Sequence, residues 1–79
     1  MMNFKTDVAA YIFSRAVSVS RKNEREFFLT LEELGVSVRS NEFQEGLNEI
    51  HEMGCLRVTM DDFSKIQIFI INEIGDVFD

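Results

Sequence analysis

The sequence predicts a small α+β domain with three helices and a two- to three-stranded antiparallel sheet. Apolar residues recur at three- and four-residue spacing near the amino end, which indicates an amphipathic helix. Two further segments, 30–35 and 40–54, each begin with a capping residue and end at a glycine, as helices do. Residues 56–60 and 65–71 alternate between apolar and polar side chains, which is typical of strands.

The first helix is predicted to begin at Thr6, whose hydroxyl can serve as the N-cap. Asp7 follows in the first turn, where a negative charge meets the positive end of the helix. Phe4 precedes the cap and is expected to pack onto this helix. The polar segment 18–26 then forms the helix end and a loop. The stripe expected to face the core comprises Val8, Ala9, Ile12, Phe13, Ala16 and Val17.

A capping box is predicted to open the second helix at Thr30. The Thr30 hydroxyl can accept from the amide of Glu33, and the Glu33 carboxylate can accept from the amide of Thr30. Gly35 ends this short helix because a left-handed residue is needed there. Ser40 is the expected N-cap of the third helix and Gly54 its end. The inward face of the third helix is Phe43, Gly46, Leu47, Ile50 and Met53.

The hairpin after Gly54 is expected to direct one set of apolar side chains into the core, and residues 61–64 form its polar tip. Two apolar residues, Phe69 and Ile71, fall on the opposite face and need cover from the first helix, the tail or a second subunit. The inward set is Leu56, Val58, Met60, Ile66, Ile68 and Ile70.

This order of elements resembles the winged helix-turn-helix family of prokaryotic, phage and plasmid proteins. The resemblance is carried by residues 28–70, where a capped helix ending in Leu-Glu-Glu-Leu-Gly, a tight turn, an amphipathic helix and a hairpin follow one another. It implies one winged-helix domain over residues 1–79, with 72–79 as a tail and a short strand at 26–29 paired with the wing. The competing structure is a general α+β domain whose hairpin packs on three helices.

The composition restricts the function and the compartment. The 79 residues suffice for one core, and the 14 acidic against 8 basic side chains give a net charge of −6. Because DNA binding depends on neutralising phosphates, only a local basic patch would suit it. The single Cys55 excludes an internal disulfide, and no apolar run reaches the ~18 residues of a membrane span. We expect a cytoplasmic protein with no membrane partner.

The resemblance implies that the third helix is a recognition helix, and that the chain is a DNA-binding regulator of transcription, replication or partition acting as a homodimer. Contacts to bases and phosphates are expected from the start of this helix, its amide-bearing side and the wing. These DNA candidates are Arg39, Ser40, Asn41, Gln44, Asn48, Arg57 and Lys65.

A second side of the same helix is acidic and favours a different function. Carboxylates there would bind a basic, nucleic-acid-binding surface of a host protein, as phage-encoded inhibitors similar to anti-CRISPR proteins do. The plainer interpretation is a solvated helix face. The residues of this alternative protein-binding site are Glu42, Glu45, Glu49, Glu52, Asp61 and Asp62.

Three further expectations concern the apolar residues and the chemistry. A dimer seam is predicted over Phe69, Ile71, Ile74, Val77 and Phe78. The phenylalanines are expected in the core rather than as stacking surfaces, except Phe63 at the wing tip. No Gly-rich phosphate loop, Cys/His metal spacing or Ser/His/Asp set is present, so we expect no enzyme, metal or cofactor.

Overall fold

A computed structural model describes residues 4–37, 39–61 and 65–72. It has the expected α+β architecture of three helices and a three-stranded antiparallel sheet. Predictions that involve Asp62, Phe63, Ile74, Val77 and Phe78 lie outside the described residues. The elements in chain order are α1 (Asp7–Arg21), β1 (Glu26–Thr30), α2 (Leu31–Leu34), α3 (Asn41–Met53), β2 (Leu56–Met60) and β3 (Lys65–Ile70).

The predicted capping box and both predicted glycine ends are confirmed. Glu33 N donates to Thr30 Oγ1 over 3.1 Å, and Thr30 N donates to Glu33 Oε1 over 3.3 Å. Gly35 and Gly54 end α2 and α3 with φ of 70° and 71°, the left-handed region in which a Cβ is disfavoured.

The other two helix starts are also confirmed, as is the segment predicted to hold the end of α1. Thr6 Oγ1 accepts from Ala9 N over 3.2 Å, and Ser40 Oγ accepts from Phe43 N over 3.2 Å. The segment 18–26 is predicted to contain the helix end and a loop, and α1 ends there at Arg21. Val19, three residues after the buried Ala16, extends the apolar stripe into the core.

The sheet has the strand order β1-β3-β2, with β3 in the centre and antiparallel to both neighbours. The predicted pairing of segment 26–29 with the hairpin is confirmed, and its partner is β3: Phe27 lies opposite Ile68 and Leu29 opposite Ile66. On the other side, Val58 lies opposite the same Ile68. Strand β2 therefore forms one edge of the sheet.

The core lies between the helices and one face of this sheet. Side chains with no exposed surface come from α1, β1, α3 and β3, and they include Phe13, Leu29, Phe43, Ile50 and Ile66. The inward set of the hairpin is only partly as predicted. Leu56 and the three isoleucines of β3 are buried, whereas Val58 is half-buried and Met60 is 43% exposed. Both differences follow from the edge position of β2.

Candidate functional site

The start of α3 presents two of the predicted DNA-contact side chains to solvent. Arg39 and Asn41 are exposed. Ser40 lies between them, and its hydroxyl already takes part in two hydrogen bonds, accepting from Phe43 N and donating to Ser37 O over 2.9 Å. Arg39 and Asn41 are thus the members of this group that can bind a ligand without unmaking the helix cap.

A groove of about 660 Å³ runs between α3 and β2. Buried Phe43 and Ile50 contribute to its lining, and the half-buried Leu47 and Val58 add apolar surface nearer the solvent. The remaining lining residues are Gln44, Asn48, His51, Gly54, Leu56, Arg57, Met60 and Ile71. The structure thereby brings three of the predicted DNA candidates, Gln44, Asn48 and Arg57, to one apolar groove.

Within the part of the chain that the structure describes, the edge of β2 beside this groove carries backbone groups with no strand partner. Ile71 N donates to Cys55 O over 2.9 Å and so continues the β2–β3 ladder at one end. In an antiparallel pair, every second residue of a strand forms backbone hydrogen bonds with the neighbouring strand. The backbone N–H and C=O groups of the residues between them point away from that neighbour. Among the described residues, no strand pairs with the outward-facing edge of β2. The backbone N–H and C=O groups that face away from β3 are therefore those of Leu56, Val58 and Met60, whose side chains point toward the helices.

Three of the four glutamates predicted to form the acidic side of α3 are exposed. Residues 41–53 contain no lysine or arginine, and Glu42, Glu45 and Glu52 are exposed; we call these three the acidic strip. The expectation that Glu49 belongs to this outward set is wrong. Its carboxylate accepts from Lys5 N over 2.7 Å, from Thr6 N over 3.2 Å and from Thr6 Oγ1 over 3.1 Å. Glu49 therefore holds the start of α1.

The two predicted wing contacts lie on the outer face of the sheet, which points away from the helices. Lys65 Nζ lies 4.5 Å from the ring centroid of Phe28, and Arg57 pairs in register with Phe69. The expectation that Phe28 is a core residue is wrong, since its side chain is 48% exposed. In β1, Phe27 and Leu29 point into the core, so Phe28 between them points outward.

Two members of the predicted dimer seam lie close together beside the outer face. Phe69 is half-buried and Ile71 is 51% exposed. Both line a second cavity of about 470 Å³, together with Arg25, Glu26, Arg57 and Ile70. The other three members, Ile74, Val77 and Phe78, lie outside the described residues. Asp61 of the predicted acidic site is exposed, and its carboxylate accepts from Lys65 N over 3.0 Å.

Cys55 is buried, and this burial raises the pKa of its thiol. Within residues 4–37, 39–61 and 65–72 no three His, Cys, Asp or Glu side chains are grouped so that they could hold a metal ion. None of the helices in these segments has the length and apolar character that a membrane crossing requires.

Comparisons of this chain with protein-family models, curated proteins and solved structures found no match.

Proposed function

We propose that this chain is a winged helix-turn-helix module that binds a protein partner through α3 and the groove beside β2. The winged-helix assignment is supported by the order of helices and strands and by a first strand that pairs with the second hairpin strand. The caps at Thr30, Ser40 and Gly54 supply the short helix, turn and longer helix of that family. The partner surface that it binds is basic. The chain would thus act as a phage-type inhibitor that occupies a nucleic-acid-binding surface of a host protein.

The observation that carries this proposal is an apolar groove along a helix, α3, whose neighbouring exposed positions are acidic. Glu45 and Glu52 are exposed on α3 next to groove residues Gln44, Asn48 and His51. Without any lysine or arginine between residues 41 and 53, this side of α3 repels DNA phosphates. A basic protein surface is attracted instead, which accelerates association and selects the partner. The apolar lining then contributes burial once water leaves the groove.

The open edge of β2 supplies the mode of binding. An extended segment of the partner can add to the sheet beside β2, with hydrogen bonds to the backbone of Leu56, Val58 and Met60. Alternate side chains of that segment would enter the groove over Leu47, while the others would face solvent near Arg57. Positive side chains of the segment would reach the acidic strip.

Charge reversal on the acidic strip tests the surface. The double variant Glu45→Lys, Glu52→Lys is compared with Glu24→Lys, Glu32→Lys, which changes the net charge equally at exposed positions elsewhere. With a partner recovered from host lysate and then purified, we expect the strip variant to bind at least about tenfold more weakly, equivalent to ~1.4 kcal/mol. The control variant should bind as the wild type does. Equal losses in both variants would mean that only net charge matters and that α3 is not the site.

Proline substitution tests the strand edge separately. Val58 N faces away from β3, so Val58→Pro removes an edge donor without breaking the β2–β3 ladder. We expect this variant to keep its far-ultraviolet circular dichroism and to lose partner binding. Thr59→Pro is the contrasting variant, since it removes a ladder hydrogen bond and should lower the melting temperature. Unchanged partner binding by folded Val58→Pro would exclude strand addition.

DNA binding is the second candidate function, as a dimeric regulator of transcription, replication or partition. It is favoured by the exposed Arg39 and Asn41 at the start of α3, the part of a recognition helix that commonly enters the major groove. A gel shift with palindromic fragments of the parent genome should then weaken steeply with salt, and Arg39→Glu should abolish it. Absence of any shift at low salt would leave the protein partner as the sole candidate.

A further inference from the structure

The outer face of the sheet differs in charge from the acidic strip. Three cations border it, Arg25, Arg57 and Lys65, although acidic residues predominate in the chain as a whole. Two carboxylates lie beside these cations: that of Glu26 accepts a hydrogen bond from Gln67 Nε2 over 3.2 Å, and that of Asp61 accepts from Lys65 N over 3.0 Å. An anionic ligand would therefore be attracted to the sheet and repelled by α3.

Two aromatic side chains lie on this same face. Phe69 is on the central strand, between Glu26 of β1 and Arg57 of β2 in the register. Phe28 pairs with Gln67, so it is the diagonal neighbour of Phe69, at the spacing of about 7–8 Å usual for such pairs. Two successive units of an extended ligand can each contact one of these rings.

The ring of Phe28 is open to a group that arrives from solvent. Its side chain is 48% exposed, and the atom over its face is the ammonium of Lys65 at 4.5 Å. A lysine side chain is long and flexible, so a planar group that stacks on the ring can displace the ammonium toward a neighbouring negative charge. Beside Phe69, the second cavity of about 470 Å³ provides space next to Arg25 and Arg57.

We propose that this outer face binds single-stranded nucleic acid. Bases stack on Phe69 and Phe28, and phosphates contact Arg25, Arg57 and Lys65. Aromatic side chains that project from a β-sheet between cations provide this kind of recognition, which tolerates any sequence because every base has a stacking face. A duplex is a poor ligand for the same face, because its bases are already stacked inside the helix.

Fluorescence anisotropy with labelled 12-nucleotide oligo(dT) and oligo(U), and a duplex of equal length, tests the proposal on the full chain. We expect both single strands to bind more tightly than the duplex. Phe69→Leu keeps an apolar side chain but removes the ring, and should weaken binding about tenfold or more. Phe69→Tyr keeps the ring and should bind as the wild type does. Each variant is first shown to be folded by its melting temperature.

The salt dependence tests the cations. Arg57→Gln and Lys65→Gln should each lower the slope of log affinity against log salt concentration by about 0.7, the amount expected for one phosphate contact on a single strand. Lys5→Gln removes an exposed cation at the start of α1 and should leave that slope unchanged. The variant Glu45→Lys, Glu52→Lys should still respond to Phe69→Leu as the wild type does, which separates this face from the α3 site.

Three results would overturn the proposal. These are no binding of either single strand at low salt, equal binding by Phe69→Leu and the wild type, or a dimer in sedimentation that dissociates on Phe69→Lys. The last result would show that a second copy covers this face and would favour the dimer seam instead.

Discussion

Gly46 of α3 lies directly against Val8 of α1, with no room for a side chain between them. A Cβ on Gly46 would stand 2.7 Å from Val8 Cγ1 and 2.8 Å from Val8 Cβ, closer than real Cβ atoms approach. Three residues further along α3, Glu49 reaches the start of α1 at Thr6. Positions three apart share one side of a helix, so this side of α3 is fixed on α1 while its groove side stays open.

Gly46→Ala should therefore destabilise the protein. Alanine forms helix better than glycine by about 1 kcal/mol, but the methyl group would force α1 and α3 apart. We expect a net loss of about 1–3 kcal/mol in the free energy of unfolding, the usual cost of overpacking. Urea denaturation measures it. Glu45→Ala, at an exposed position one residue away, should change stability little. An alanine at 46 that leaves stability unchanged would show that the helices can separate without cost.

Glu49→Gln should destabilise the fold more than the same change at an exposed glutamate. Both carboxylate oxygens of Glu49 accept hydrogen bonds, whereas an amide has one acceptor and would turn an N–H group toward another N–H. We expect a loss of about 1 kcal/mol by urea denaturation, and near zero for Glu45→Gln. Equal effects at both positions would contradict the contact with Thr6. Tests of partner binding accordingly use Glu45 and Glu52 and leave Glu49 intact.

The contrast between these glutamates indicates how much the sequence alone can predict. Helix starts and ends depend on residues close in the chain, so the caps at Thr30 and Ser40 and the glycine ends were predictable. The role of Glu49 depends on the approach of α1 and α3, which Gly46 permits. From the sequence alone, Glu49 cannot be told apart from Glu42, Glu45 and Glu52, which are the same residue type on a similar part of the helix.

The candidate sites were less predictable than the fold for the same reason. The outward direction of Phe28 was available from the alternation of Glu26–Thr30, which points Phe27 and Leu29 inward. The groove could not be predicted from the sequence, because it forms only where β2 is the edge of the sheet and lies beside α3. Likewise, the separation of Lys65 from the α3 surface depends on which face of β3 packs on the helices.

A pH dependence is expected from the cluster of Tyr11, Arg15 and Glu33. Tyr11 OH and Arg15 Nη1 each donate to Glu33 Oε2 over 3.1 Å. The hydrogen bond from Tyr11 is the main cause that lowers the pKa of Glu33, with further contributions from Thr30 N and Arg15. Because the folded-state pKa lies below the unfolded one, the stabilisation is present above the ordinary glutamate range. It is lost as the pH falls through the folded-state value.

Tyr11→Phe tests this assignment, since it removes the hydroxyl and keeps the ring. The Glu33 carboxyl, followed by NMR during titration, should show a higher pKa in the variant. The fall in melting temperature between pH 7 and pH 3 should also be smaller than in the wild type, because less stabilisation remains to be lost. An unchanged Glu33 titration would mean that Arg15 and the Thr30 amide control it instead.

Cys55 should react slowly with thiol reagents in the folded protein. Its side chain is 5% exposed, its Sγ lies 3.6 Å from Met53 O, and burial raises the pKa of the thiol. Low exposure and a raised pKa both lower the concentration of accessible thiolate, which is the reacting species. We expect modification by Ellman's reagent at pH 8 to be at least about 100-fold slower than in urea, because the thiol must first be exposed by opening of the structure.

Cys55→Ala combined with Thr59→Cys places the one thiol at an exposed position of β2 and should react quickly in the absence of urea. If native Cys55 reacted as fast as the cysteine introduced by Thr59→Cys, the start of β2 would open readily. The strand proposed to bind the partner would then not be stably ordered.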